Sequence, residues 1–156
     1  MIRPTTADDA ERLVELAAAT GMFKRIEIQA LGEVFADYFA ADRDQAGHRC
    51  VTCDEDGQLL GFTYYAPAAM TDRAWYLYWI AIRKDVQARG IGTRLLRHLE
   101  DDIRSRRGRV IFVETGSVPH YHLTRKFYLK NGYEQHALLK DFYAAGDSMV
   151  VFRKEM

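Results

Sequence analysis

The stretch Ile80 to Leu96, IAIRKDVQARGIGTRLL, joins two periodicities. Its first residues close the run Ala74 to Ile82, AWYLYWIAI, which is apolar or aromatic at odd and even positions alike. Such a run reads as a strand buried on both faces at the centre of a sheet. Its last residues open a helical pattern to about Arg106, with Ile91, Leu95, Leu96, Leu99 and Ile103 on one face. Gly90 and Gly92 stand at the join. A helix start leaves backbone N–H groups unpaired and carries partial positive charge. Glycine lets a ligand come close to that backbone. Gln87, Arg89 and Arg94 add donors around it. The junction suits an anion, a pyrophosphate in particular. On the two glycines alone, an ordinary strand-to-helix turn is an equally good account.

Two other phosphate motifs do not fit. A nucleotide P-loop needs G-x-x-x-x-G-K-[ST], which is absent. A dinucleotide fingerprint needs a third glycine at position 95, where Leu95 stands, and prefers the first strand of a repeating β-α-β domain.

Outward from the junction the chain has regular punctuation. TTADDAERLVELAAAT reads as a first helix, with Thr6 and Asp9 spaced as a capping box and Gly21 after its end. A second helix shows at Leu31, Val34, Phe35, Tyr38 and Phe39. Asp56-Gly57 marks a hairpin between two strand-like runs. After the central helix come the strand RVIFVET, the short helix LTRKFYLKNG, and two closing strands, YEQHALL and SMVVFRKE, joined by KDFYAAGD as a loop. The order β-α-α-β-β-β-α-β-α-β-β implies a mixed, mostly antiparallel sheet of six or seven strands flanked by about four helices. No linker or repeat divides it, so residues 1–156 read as one domain.

The totals exclude more than they assign. Lys+Arg and Asp+Glu both number 22, so nothing points to nucleic acid or an anionic membrane. No apolar run approaches the ~18 residues of a membrane span, and MIRPTTADDAERL lacks the apolar core of a signal peptide. A cytoplasmic protein is the expectation. Cys50 and Cys53 form a C-x-x-C pair, but a structural zinc needs four ligands and there is no second pair. In a strand, residues three apart point to opposite faces, so two ordinary thiols are expected.

IAIRKDVQARGIGTRLL closely resembles the acetyl-CoA signature of the GNAT (GCN5-related N-acetyltransferase) superfamily, Gln/Arg-x-x-Gly-x-Gly/Ala, with Gln87, Gly90 and Gly92 on its three defining positions. Downstream, TRKFYLKNGYE looks like the family's helix and turn that carry a tyrosine, here Tyr128. The resemblance covers essentially the whole chain and implies a sheet splayed at its centre. It implies an acetyl-CoA-dependent N-acetyltransferase that moves an acetyl group directly to a primary amine of a small molecule, amino acid or peptide. It implies no acyl-enzyme and no metal. By that match Ile80, Ala81 and Ile82 would pair with pantetheine, and Gln87, Ala88, Arg89, Gly90, Ile91, Gly92 and Thr93 would hold the pyrophosphate mainly through backbone N–H groups. The fold it implies often dimerises.

The resemblance makes Tyr128 the candidate acid for the leaving thiolate. A phenol with an ordinary pKa near ~10 is protonated at neutral pH. Glu114, at the end of RVIFVET, is the candidate base, directly or through water. A solvated carboxylate and one that binds the substrate ammonium are equal alternatives. His120 and His122 are further candidates. Many relatives carry Asn seven residues before the acidic tyrosine, where this chain has Tyr121, and Leu129 follows Tyr128 where Glu is common. For the acceptor, Phe23, Tyr76, Tyr78, Trp79, Phe142 and Tyr143 are candidate walls. The other readings are transfer of a different acyl group from CoA and a non-catalytic acetyl-CoA sensor. Tyr128 favours catalysis, because a pure binder has no need of an acid there.

Overall fold

The computed structural model describes residues 1–156. In chain order its elements are β1 (Ile2–Pro4), α1 (Ala10–Ala19), α2 (Arg25–Ala40), β2 (Arg49–Glu55), β3 (Gln58–Pro67), β4 (Ala74–Ile82), α3 (Ile91–Ser105), β5 (Val110–Gly116), α4 (His122–Lys130), β6 (Glu134–Ala144) and β7 (Asp147–Glu155). This is the expected order. Two boundaries differ from the reading of the sequence. Helix α2 starts at Arg25, six residues before its apolar stripe, because the Glu27 carboxylate accepts the Lys24 backbone N–H at 3.0 Å and satisfies the helix start. The segment DFYAAGD is not a loop. Strand β6 runs through it to Ala144 and turns into β7 at Ala145-Gly146, with Gly146 at φ 80°.

The strands form one sheet in the order β1-β2-β3-β4-β5-β7-β6. All neighbours are antiparallel except β4 and β5, which α3 connects as a crossover. That parallel pairing is short. It runs from Ala74↔Val110 to Leu77↔Val113, although β4 continues to Ile82 and β5 to Gly116. The sheet is therefore split at its centre from Tyr78 onward. The β3–β4 register skips Tyr78, passing from Tyr65↔Leu77 to Tyr64↔Trp79, so a bulge lies where the split begins.

Each face of the sheet carries its own core. Leu13, Leu16, Leu31 and Phe35 of α1 and α2 pack on Phe62, Tyr64 and Ala81. Leu95, Leu96, Leu99 and Ile103 of α3, with Tyr128 of α4, pack on Leu77, Ile111, Val113 and Phe152. The four α3 residues are fully buried, each contributing about 2 kcal/mol of transfer energy. Cys50 belongs to the first core and Cys53 to the second, so the two thiols do face opposite sides and both are free. Glu100 is the one charge buried on α3. Both its oxygens accept from Lys154 Nζ at 3.0 Å and one accepts from the Tyr133 hydroxyl at 3.0 Å, while Lys154 also donates to the Asn131 carbonyl at 2.9 Å. This cluster fastens α3, the turn after α4 and β7 together. No helix is long and apolar enough to cross a membrane.

Candidate active site

The split leaves a backbone edge of β4 without a strand partner. Arg83 donates its N–H to the Leu60 carbonyl of β3 at 2.8 Å. In an antiparallel ladder consecutive residues turn their N–H and C=O to alternate sides. Ala81 therefore pairs with Phe62, opposite it in register, while Ile80 and Ile82 face the gap. Of the three residues expected along the cleft, Ala81 is thus engaged with β3. The Ile82 carbonyl accepts from Gln87 Nε2 at 3.1 Å, which ties the end of β4 to the turn below it.

That turn holds Ala88 at φ 70° and Gly90 at φ 78°. Gly90 is the residue before α3, no side chain caps the helix, and no acidic residue lies in its first turn. The N–H groups of Ile91, Gly92 and Thr93 have no acceptor within the helix. A Cβ on Gly90 would meet nothing within 4 Å, so the space beside it is open. Gly92 is different. A Cβ there would lie 3.2 Å from the Phe127 ring, so this glycine serves the packing of α3 on α4. The side chains expected to add donors are partly engaged. Gln87 holds Ile82, and Arg89 pairs with Glu55 at 3.5 Å, both groups half in solvent. What the junction offers is backbone.

Tyr128 sits on α4 with 2% of its surface exposed, its ring 5.5 Å from Phe152 and 5.6 Å from Tyr133. Burial raises its hydroxyl well above the usual phenol range. Glu114 stands on β5 one step past Val113, the last residue paired with β4, and is itself paired with Val151 of β7; surrounding protein pushes its carboxyl above the ordinary value. Opposite it across the mouth of the split is Tyr78, half exposed, raised by burial and by the charges of Tyr76 and Glu114. His120 and His122 are on the exposed side, His120 leaning on Tyr121 at 5.0 Å.

The segment before α2 closes one side of the mouth. Phe23 packs on Trp79 at 5.3 Å, and Lys24 lies 5.5 Å from the Tyr143 ring centroid and 3.7 Å from Asp147. Asp147 accepts the Ser117 N–H at 3.2 Å at the end of β5. A Cβ on Gly116 would meet both the Tyr121 ring, at 2.7 Å, and Asp147, at 2.9 Å, so these two side chains close over the same point of β5. Burial, with Glu114, Glu27, Asp147 and Tyr121 nearby, pushes the Tyr143 hydroxyl up to about 12. Phe142 is exposed and rests edge-on against Tyr143 at 5.1 Å. On the other side of Tyr78 and Trp79, between α2 and β3, a cavity of about 260 Å³ holds Asp37, Arg43 and His48, with His48 Nδ1 2.7 Å from the Tyr64 hydroxyl. No three His, Cys, Asp or Glu side chains are grouped to hold a metal.

The sequence model of the Acetyltransferase (GNAT) family matches residues 11–133. The chain belongs to this family. It is 27% identical over 130 residues to the S-(2-succino)cysteine N-acetyltransferase of Bacillus subtilis (strain 168), covering 80% of this chain and 78% of that protein. A GNAT-family protein from Desulfovibrio desulfuricans is 31% identical and superposes with a TM-score of 0.94 over 99% of this chain and 98% of its own. An aminoglycoside 6'-N-acetyltransferase complexed with coenzyme A shares the fold at TM-score 0.79 and 18% identity, covering 99% and 96%. This GNAT chain is an acyltransferase, and the family acts on acetyl-CoA. Asp147, Glu27 and Lys24 of the GNAT cleft escaped the reading of the sequence. Their signal was weak, since each is a common polar residue beside a turn or helix start and only the fold brings them to one mouth.

Proposed function

We propose that the chain transfers an acetyl group from acetyl-CoA directly to a primary amine of a small molecule, amino acid or peptide. The observation that carries this is the free β4 edge at Ile80 and Ile82 leading into the uncapped start of α3, an extended acceptor for an amide-bearing arm with an anion seat at its end. The proposed unit is a single domain of residues 1–156, since both cores are built on one sheet. Two buried free thiols fit a reducing, cytoplasmic setting.

In this reading the backbone of Gln87 to Thr93 holds the pyrophosphate, and a gap-facing N–H of β4 stabilises the oxyanion. Glu114, whose raised carboxyl is a better base than a solvated one, takes the proton of the attacking amine directly or through water. The new carbon–nitrogen bond forms as the carbon–sulfur bond breaks, and the Tyr128 hydroxyl supplies a proton to the sulfur. The acceptors in the relatives' names, S-(2-succino)cysteine and aminoglycosides, differ widely in charge. The test is free thiol release from acetyl-CoA across an amine panel that spans both. Amine-dependent release with an N-acetyl product is the expected result. Tight acetyl-CoA binding with no release across the panel would replace this reading with the sensor.

A further inference from the structure

The mouth of the split has an uneven charge. Three carboxylates from separate elements lie near enough to Tyr143 to raise its hydroxyl: Glu27 from α2, which accepts the Lys24 backbone N–H, Glu114 from β5, where the pairing with β4 has ended, and Asp147 from β7, beside Lys24 Nζ. One ammonium answers them, that of Lys24. Arg125 lies beneath, its guanidinium donating to the Gly116 and Val118 carbonyls at 2.7 and 3.0 Å, where it holds the loop and not the cleft. The walls between the carboxylates are aromatic: Phe23 on Trp79, then Tyr78, Tyr121 and Tyr143. Aromatic faces beside carboxylates attract cations through the ring quadrupole as well as through charge.

Lys24 shows where such a cation sits. Its Nζ lies 5.5 Å over the Tyr143 ring and 3.7 Å from the Asp147 carboxylate. The seat admits a primary ammonium, and the occupant is loosely held, with half of its side chain in solvent. Asp147, by contrast, is fixed by the Ser117 N–H and buried. A ligand ammonium entering the mouth meets a rigid anion and a displaceable cation.

We propose that the acceptor of this GNAT site is at least a dication, a primary amine with a second ammonium seated between Tyr143, Asp147 and Glu27. The inference rests on the transferase reading for the fate of the first amine. It adds that a carboxylate in place of the second ammonium is repelled, because it would face three like charges.

The test compares cadaverine, n-pentylamine and δ-aminovalerate on the full chain, by calorimetry in the presence of CoA and by thiol release from acetyl-CoA. Cadaverine is expected to bind about tenfold more tightly than n-pentylamine, with δ-aminovalerate the weakest. Glu27→Gln, which keeps the helix-start hydrogen bond, and Asp147→Asn should each narrow the gap, and Lys24→Met should widen it by removing the competing ammonium. Equal affinities, a preference for δ-aminovalerate, no binding by any of the three, or a preference untouched by Glu27→Gln and Lys24→Met would each overturn the proposal. Preferential cadaverine binding without thiol release would keep it and sink the transferase reading. Thiol release as fast with δ-aminovalerate as with cadaverine would do the reverse.

Discussion

Gly90 and Gly92 look alike in the sequence and do different work. Gly90 stands at φ 78° beside open space, a backbone conformation that costs a β-branched residue about 1–2 kcal/mol. Gly90→Val is expected to turn the start of α3 and remove CoA affinity in calorimetry while the melting temperature falls only slightly; retained affinity would count against the anion seat. Gly92→Ala should instead act through Phe127, loosening α4. Tyr128→Phe is expected to lower turnover by on the order of a hundredfold with CoA affinity nearly unchanged, and undiminished turnover would remove Tyr128 from the chemistry. The spacing of Gln87, Gly90 and Gly92 was enough to point at the junction. It was not enough to separate the glycine that frees a backbone from the one that admits a ring, because that depends on a helix more than thirty residues further on.

Among the elements, the first strand is latched by charge. Arg3 bridges Asp9 and Asp54, each at 2.7 Å, and Asp9 also accepts the Thr6 N–H at 2.9 Å. The Arg3 hydrogen bond, with Thr6 behind it, holds the Asp9 carboxyl down to about 2. A depressed carboxylate stabilises the fold above its unfolded pKa near ~3.9 and loses that contribution as pH falls toward the folded value. Asp9→Asn should therefore cost about 2 kcal/mol at neutral pH and only about 0.4 kcal/mol near pH 2, in denaturation curves that converge on acidification. A constant difference across that window would show that packing, not the charge, is lost. The Thr6–Asp9 spacing announced only the helix start, and the Thr6 N–H does donate to Asp9; the latch was not legible, because Arg3 and Asp54 lie on different strands and nothing local joins them. Strand β6 was harder still. Its bulge, with Asp141 at φ 55° and a register shift between Leu139 and Ala144, interrupts the alternation by which a strand is recognised.

At the scale of the whole molecule, the sheet is two half-sheets sharing four paired positions between β4 and β5. Element order and the apolar run AWYLYWIAI gave the central strand away, although it is not buried on both faces throughout: past the split Tyr78 is exposed and Trp79, Ile80 and Ile82 are only partly covered. The split itself left its trace only in the family signature, since a strand that loses a partner halfway keeps the same apolar side chains and gives up backbone contacts alone. That division has a direct readout. Ala81 is paired to β3, so its amide should exchange slowly with solvent, whereas the amides of Ile80 and Ile82 face the gap and should exchange orders of magnitude faster despite lying in the middle of the fold. Filling the gap reverses this. A saturating CoA ligand at a hundredfold over its Kd stabilises the fold by about 2.7 kcal/mol, and the protection should appear at Ile80, Ile82 and the N–H groups of Ile91 to Thr93 together while Ala81 is unchanged. Residue-resolved hydrogen exchange with and without CoA decides it. Equal protection of Ile80 and Ala81 in the free protein would mean that the gap is closed. Protection at α3 without protection at β4 would mean that the anion seat works but the strand edge does not take the arm.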